Sequence, residues 1–300
     1  MSVEIVMDLL TDFATACGQE LRAAGYTPPA GPAEEIIRSY ANVRHRRVPT
    51  RPRKVHKASY VVPPHLIAGE QSFLAKVAAG TDLRPYQSTK LEQADFDDGM
   101  LNDFGIQHFH LGIGPHPRSP GFVARTEPVL FALVREDDFY SLGCFKHGEW
   151  SRTSLLDLIH ATWPDVIRSS SLGGSSSAPG MQILGLAQSY TDAEVKKLRN
   201  AGINVITQRP DRTIHVSPGG GVTSIGTSVK VARELAAIKR ICSQLERALE
   251  VDLASRLASG SLAPPVTVRL EQRATETFAV ADGGGGIEFS LDRQLFVPPL

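Results

Sequence analysis

Two histidines two residues apart, His108 and His110, have the residue type and spacing best suited to chemistry in this 300-residue chain. Within residues 106–112 they alternate with Gln107 and Phe109, and this period of two predicts a β-strand. Side chains two apart on a strand point to the same side of a sheet. We therefore expect both imidazoles to share one face of a sheet.

Three further basic side chains flank the two strands that are predicted to follow. Arg125 precedes the apolar segment 127–135, and Lys146 and His147 come at the end of segment 139–146. Consecutive strands of this kind are usually neighbours in a sheet. A meander of the three strands would bring Arg125 and His147 towards the paired histidines.

This set of side chains leaves three chemical interpretations open. In the first, the histidines cleave RNA, because one imidazole can take the 2′-hydroxyl proton near neutral pH while another protonates the leaving 5′-oxygen. Arg125 or Lys90 would then stabilise the charge that builds on the phosphate. In the second, His108 and His110 ligate zinc together with carboxylates, although no HExxH motif accompanies them. In the third, the histidines are buried and structural.

A basic segment upstream, residues 44–57, gives the strongest local charge signal of the chain, since it contains no acidic residue. Pro49 and Pro52 exclude a helix there and predict an extended edge or a loop. The segment either binds a phosphate backbone or forms a solvated edge that blocks strand pairing. The candidate nucleic-acid-binding residues are Arg44, Arg46, Arg47, Arg51, Arg53, Lys54 and Lys57, together with Lys90.

The overall composition restricts the classes of function. Lys plus Arg and Asp plus Glu both number 32, so any nucleic-acid binding must depend on a local patch. Cys17, Cys144 and Cys242 form no CxxC pair, which argues against a zinc knuckle or a disulfide framework and favours a reducing cytoplasm. Acidic residues interrupt the N-terminal segment, so we expect a cytoplasmic protein without a signal peptide or a membrane partner.

The elements that would position the candidate residues predict an α+β fold with N-terminal helices and a small antiparallel sheet. The catalytic domain would span residues 1–167, a Ser/Gly linker residues 168–180, and a smaller α+β domain with a long helix residues 181–300. Helices are predicted at 3–24, 32–42, 65–79, 153–162, 191–201 and 227–258. Further strands are predicted at 58–62, 181–186, 203–208 and 212–217 and in the tail 264–300.

The string RTEPVLFALVREDDFYSLGCFKHGEW, from Arg125 to Trp150, resembles the RelE/ParE-like group of small ribonuclease toxins within the barnase–colicin–RelE fold. The resemblance covers about residues 85–163. It implies an antiparallel sheet whose basic face cleaves RNA without a metal ion, with Arg125, Lys146 and His147 at the basic sheet positions. It also implies a toxin or phage-defence effector, with RNA as substrate and an antitoxin or another protein as partner.

The sequence thus predicts a metal-independent endoribonuclease that needs no cofactor. Its catalytic residues would be His108, His110, Arg125, Lys146 and His147. Two alternatives remain: a non-enzymatic module that binds nucleic acid or protein, and a metal-dependent hydrolase. The long helix 227–258 offers a surface for a homo-oligomer.

Overall fold

The protein has a mixed α+β fold, as the sequence predicts; the computed structural model describes residues 5–172, 186, 188–208, 214–273, 276–282, 287–291 and 295–300. The helices are α1 (Leu9–Ala23), α2 (Ala33–Arg46), α3 (Ile67–Ala79), α4 (Gly99–Phe104), α5 (Ser154–Thr162), α6 (Asp192–Asn200) and α7 (Val229–Ala258). The strands are β1 (Ile5–Val6), β2 (Lys54–Lys57), β3 (Ile106–Phe109), β4 (Val129–Val134), β5 (Asp138–Phe145), β6 (Ser171–Leu172), β7 (Ile206–Gln208), β8 (Ile214–Val216), β9 (Val266–Arg273), β10 (Glu276–Asp282) and β11 (Ile287–Ser290). None of the described helices is both long and apolar enough to span a membrane.

The chain forms two compact units, and both are discontinuous in sequence. As far as the ranges are described, the first unit consists of Met1–Arg44, Glu92–Asp95 and Val231–Leu300, and the second of His45–Leu91 and Phe96–Lys230. The N-terminal helices therefore share a unit with the C-terminal tail, which the sequence assigned to a different domain. Of the predicted linker 168–180, residues 168–172 belong to a 3-10 helix and to β6. The rest of the linker, and the strand predicted at 181–186 except Leu186, lie outside the described residues.

In the first unit, α1, α2 and α7 pack with a four-stranded sheet. Strands β9, β10 and β11 form an antiparallel meander, and β1 adds to β9 in parallel. Leu9, Phe13, Cys17 and Leu21 recur at helical spacing on α1 and are almost fully buried in the core of this unit. The predicted helix 3–24 and the β-rich tail are thus confirmed, with the helix beginning at Leu9.

In the second unit, the predicted meander is confirmed and gains a fourth strand. The sheet has the order β2-β5-β4-β3, with β3, β4 and β5 antiparallel to one another and β2 parallel to β5. The extra strand lies within the basic segment at Lys54–Lys57, whereas the sequence predicted a strand at 58–62. The prediction of an extended edge is correct for β2, which is the outer strand next to β5, but residues 44–46 of the basic segment belong to α2, where the sequence excluded a helix.

Each face of this sheet is covered by a helix. Phe73 and Val77 of α3 pack with Phe109 and Leu130 on one face, and Leu156 and Ile159 of α5 pack with Ile106 and Phe131 on the other. Residues 106, 108 and 110 therefore share the face of α5, as the alternation in the sequence predicts. A small three-stranded sheet, β6-β8-β7, and helix α6 complete the second unit. Helix α6 begins with the predicted capping box of Thr191 and Glu194.

Candidate active site

Sheet topology explains why the candidate residues meet at one end of the sheet in the second unit. Strands β3 and β5 run in the same direction and β4 runs in the opposite one. The ends of β3 and β5 and the start of β4 therefore lie at the same end of the sheet. His110 follows β3, His147 follows β5 and Arg125 precedes β4.

The three histidines form a compact cluster. The centroids of the His108 and His110 rings are 6.0 Å apart, and the His147 ring lies 5.8 Å from each of them. One ring nitrogen from each histidine lies within 4.8 Å of those of the other two. The indole of Trp150 packs against His108 at 4.6 Å and against His147 at 4.7 Å between ring centroids. These distances let two imidazoles reach the same phosphate group.

His110 is held in one protonation state by its surroundings. His110 is 3% exposed, and its Nδ1 accepts a hydrogen bond of 3.0 Å from the backbone N–H of Thr126. Burial, the positive charge of Arg125 and the two neighbouring histidines lower the pKa of His110 to about 3. At neutral pH the ring is therefore uncharged with its proton on Nε2, which makes Nε2–H a hydrogen-bond donor.

His108 and His147 differ in exposure and in hydrogen bonding. Burial lowers the pKa of His108 to about 4, and the charges of His147 and Arg125 add to this effect against the opposing influence of Asp98. The Nε2 atom of His108 is fully buried and has no hydrogen-bond partner among the residues that the structure describes. His147 is exposed, and its backbone N–H donates to Oε1 of Glu127 at 2.8 Å. The cluster thus combines two neutral rings with one ring that is open to water.

The two other predicted catalytic residues are placed differently. Arg125 is half-buried, donates through Nη1 to the carbonyl oxygen of Gln87 at 2.8 Å, and lies over the ring of Phe122 at 5.4 Å. Its charge acts on His108 and His110, so it belongs to the electrostatic environment of the cluster. Lys146 is exposed next to His147 in the sequence and does not line the neighbouring cavity.

A cavity of about 290 Å³ lies beside the cluster. His108, His147 and Trp150 form one part of its wall. The remaining lining residues are Ser88, Lys90, Phe96, Asp98, Gly99, Met100, Ser151, Lys196, Arg199 and Asn200. Lys90 was expected to contact phosphate, and it lines both this cavity and a water-sized one next to it. The cavity therefore combines aromatic, cationic and histidine side chains.

The cavity wall is fixed by a buried ion pair that the sequence did not reveal. Arg199 donates through Nε and Nη2 to Oδ2 of Asp103 at 2.9 and 2.7 Å, and Ser217 donates to Oδ1 at 2.8 Å. The Nη1 of Arg199 donates to the backbone oxygen of Trp150 at 2.6 Å and to Ser151 Oγ at 3.2 Å. These hydrogen bonds satisfy both charged groups of the ion pair. Arg199 is therefore a structural residue, which holds the backbone of Trp150 in place.

The basic segment 44–57, which the sequence predicts either to bind a phosphate backbone or to form a solvated edge, is only partly exposed. Arg46 and Arg53 are buried. Arg46 donates to the carbonyl oxygen of Lys90 at 3.0 Å, and Arg53 donates to those of Arg135, Pro49 and Arg51 at 2.9 to 3.2 Å. These guanidinium groups hold the backbone in place, and their burial corrects the prediction that they contact nucleic acid.

The other members of the segment also differ from one another. Arg44 pairs with Glu234 in the first unit, Arg51 pairs with Glu136 and Asp137, and Lys57 pairs with Glu70. Arg47 is half-buried and Lys54 is exposed. Carboxylate partners compensate three of these charges, which weakens their attraction for phosphate.

Comparisons of the chain with protein families, with curated proteins and with solved structures found no match. The resemblance of residues 85–163 to the RelE/ParE-like toxins stays a prediction. The function is therefore inferred from the histidine cluster and the cavity beside it.

Proposed function

We propose that the chain is a metal-independent endoribonuclease whose catalytic centre is the cluster of His108, His110 and His147. The observation that carries this proposal is the convergence of three imidazoles, with one ring nitrogen of each within 4.8 Å of those of the other two, next to a cavity lined by Lys90 and Lys196. His110 carries its proton on Nε2, because its Nδ1 accepts the Thr126 N–H. A phosphodiester group supplies acceptors for such a donor and a charge that complements the lysines.

The proposed reaction is an internal transfer that needs no second reactant. The 2′-hydroxyl oxygen of RNA attacks the adjacent phosphorus, and the bond from phosphorus to the 5′-oxygen breaks. The products are a 2′,3′-cyclic phosphate and a 5′-hydroxyl end. One proton leaves the 2′-hydroxyl group and one is added to the 5′-oxygen, so two proton-transfer groups suffice.

The surroundings of each histidine suggest its role. His147 is open to water and takes the 2′-hydroxyl proton, since it can exchange that proton with solvent. His110 donates through Nε2–H to a phosphate oxygen, because Thr126 occupies its Nδ1. Binding of the anionic phosphate favours the charged form of a nearby imidazole and so raises its pKa. His108 can then carry the proton that the leaving 5′-oxygen needs, while Arg125 stabilises the negative charge that builds on the phosphate oxygens.

Alanine substitution of the cluster tests this proposal. We expect His147→Ala and His110→Ala each to lower the rate of cleavage of a mixed-sequence RNA oligonucleotide by about 10²–10⁴-fold, the range of general acid–base catalysis. The exposed His65→Ala serves as the matched control and should leave the rate unchanged. Analysis of the product ends should show 2′,3′-cyclic phosphates. Unchanged rates in both cluster variants would remove the assignment, and RNA binding without cleavage by the wild-type chain would indicate a non-enzymatic binding module.

A metal centre is the second candidate, because three ring nitrogens within 4.8 Å of one another could ligate one ion. The hydrogen bond at His110 disfavours this candidate. A metal at Nδ1 would displace the Thr126 N–H, and a metal at Nε2 would require removal of the ring's remaining proton. We expect cleavage to survive dialysis against EDTA. Loss of cleavage that Zn²⁺ restores would replace the acid–base proposal with a metal-dependent hydrolase.

The cellular role is proposed from the resemblance to ribonuclease toxins. An effector of toxin or phage-defence type acting on cytoplasmic RNA should arrest growth when its expression is induced, and His147→Ala should relieve the arrest. Growth arrest that persists in His147→Ala at equal protein level would separate the cellular effect from RNA cleavage. A protein partner such as an antitoxin would be found by its suppression of the arrest.

A further inference from the structure

The cavity beside the histidine cluster has walls of two chemical kinds. Trp150, Phe96 and Met100 supply aromatic and apolar surface, and Lys90 and Lys196 supply positive charge. The volume of about 290 Å³ is close to the lower end of small-molecule sites, which span about 300–1,000 Å³. A ligand of this size corresponds to one nucleotide.

The aromatic wall is suited to a nucleobase. Trp150 is half-buried and contacts both His108 and His147, so a base on its exposed surface would lie next to the cluster. The guanidinium of Arg46 and the ammonium of Lys90 lie 5.7 and 5.8 Å from the centroid of the Phe96 ring. Stacking of a base on an aromatic side chain contributes about 1–3 kcal/mol and tolerates different bases.

The charged residues of the cavity leave a net attraction for an anion. The charge of Arg199 is compensated by Asp103, and Oδ1 of Asp98 accepts the N–H groups of Met100 and Leu101 at the start of α4. Lys90 and Lys196 are both exposed and approach the cavity from separate parts of the chain, the segment after α3 and helix α6. Long cationic side chains in such positions can reach phosphate groups on either side of a bound nucleoside.

We propose that this cavity is a nucleotide subsite, in which one base of the RNA stacks on Trp150 while Lys90 and Lys196 bind the flanking phosphates. His108 lines the same cavity, which puts this ligand next to the histidine cluster. The inference rests on the proposed ribonuclease function and adds the position of the nucleotide next to the bond that is cleaved. It predicts binding of single nucleotides whether or not they are cleaved.

The test uses Trp150 as a reporter in the full-length chain. Trp163, the other tryptophan, packs edge-on against Tyr140 and does not line the cavity, so Trp163→Phe leaves Trp150 as the single indole. Nucleoside 3′,5′-bisphosphates, which carry one phosphate for each lysine, should cause a saturable change in its fluorescence, whereas ribose 5-phosphate and inorganic phosphate should not. Calorimetric titration of the unmodified chain with the same ligands gives the dissociation constants if Trp163→Phe fails to fold.

Two neighbouring lysines on α6 provide a matched pair of variants. Lys196→Ala should weaken nucleotide binding about tenfold, the loss of one charge-assisted contact. Lys197→Ala should leave the dissociation constant unchanged, because Lys197 does not line the cavity. No saturable response to any nucleotide, an equal response to ribose 5-phosphate, or equal binding by Lys196→Ala and the wild-type chain would overturn the inference. Nucleotide binding without RNA cleavage would instead overturn the ribonuclease function and leave the subsite standing.

Discussion

The histidine cluster differs from Arg51 and Arg53 of the basic segment 44–57 in how far the fold satisfies the polar atoms. The cluster and the segment are both dense in groups that can contact phosphate, and the segment has more of them. Arg53 makes its hydrogen bonds to three backbone carbonyl groups, and Arg51 pairs with two carboxylates. In the cluster, by contrast, Nε2 of His108 has no hydrogen-bond partner in the described part of the chain and His147 faces water. Density of charge in a sequence therefore does not measure the availability of that charge in the fold.

The largest contrast between the two regions should appear in the rate of RNA cleavage after an arginine of each region is replaced. Arg125→Ala removes the positive charge that acts on His108 and His110, and we expect RNA cleavage to fall about 10²–10³-fold, as for other groups that stabilise transition-state charge. Arg51→Ala, the matched control in the basic segment, should change the rate less than about threefold, a bound set by its carboxylate partners. Initial rates on one RNA oligonucleotide at fixed ionic strength measure both. Equal losses in the two variants would show that the basic segment takes part in catalysis.

The pH dependence of stability should sharpen the contrast, because burial makes His108 and His110 resist protonation. The pKa values of His110 and His108, about 3 and about 4, lie below the ordinary value of 6.5. At a pH between the lowered values and 6.5, the unfolded chain binds more protons than the folded chain. The contribution of the two histidines to the free energy of unfolding is therefore complete above pH 6.5 and is lost as the pH falls. At pH 5 the loss amounts to at most about 2 kcal/mol for each histidine.

Urea unfolding at pH 7 and pH 5 measures this loss. His110→Gln removes one titrating group and retains a carbonyl oxygen that can accept the Thr126 N–H. The wild-type chain should therefore lose more stability than His110→Gln over this pH interval, while groups outside the cluster titrate alike in both proteins. The same loss in both proteins would mean that His110 is protonated as easily in the folded chain as in the unfolded one.

Much of the second unit's sheet follows from local patterns in the sequence. Alternation in residues 106–112 correctly puts His108 and His110 on one face, and the apolar runs correctly predict β4 and β5. Because each of the three strands pairs with the next in antiparallel order, His147 after β5 lies at the same end of the sheet as His110 after β3. The convergence of the three histidines could thus be anticipated from strand order without knowledge of the register.

The cavity and the two units could not be predicted in this way. Lys196 and Arg199 are far from His108 in the sequence, on a helix assigned to a separate domain beyond the linker. Their place beside α4 depends on the long-range ion pair of Arg199 with Asp103, for which no local pattern exists. Likewise, Arg53 looks like its neighbours in the sequence, and only the path of the backbone around it determines that it is buried. Whether a side chain can contact a ligand is thus decided by tertiary packing.

The smallest expected effects are changes in the free energy of unfolding, and these changes have opposite signs in the two regions. A buried polar atom without a partner costs about 1–3 kcal/mol, and Nε2 of His108 is such an atom. His108→Leu removes it while keeping apolar contact with Phe131 and Trp150, so we expect the free energy of unfolding at pH 7 to rise by about 1 kcal/mol. In the basic segment, Arg53→Met should lower the free energy of unfolding by about 1–3 kcal/mol, because it removes charge-assisted hydrogen bonds to partly buried carbonyl groups.

Chemical unfolding of the two variants and the wild-type chain under identical conditions measures both changes, and RNA cleavage by His108→Leu should be lost even though the fold is more stable. This opposite behaviour is expected when a residue is retained for chemistry at a cost in stability. A destabilised His108→Leu would instead mean that the His108 imidazole supports the fold, as Arg53 does. The histidine cluster would then belong with the basic segment as a structural feature, and the site would have to be sought among the other residues that line the cavity.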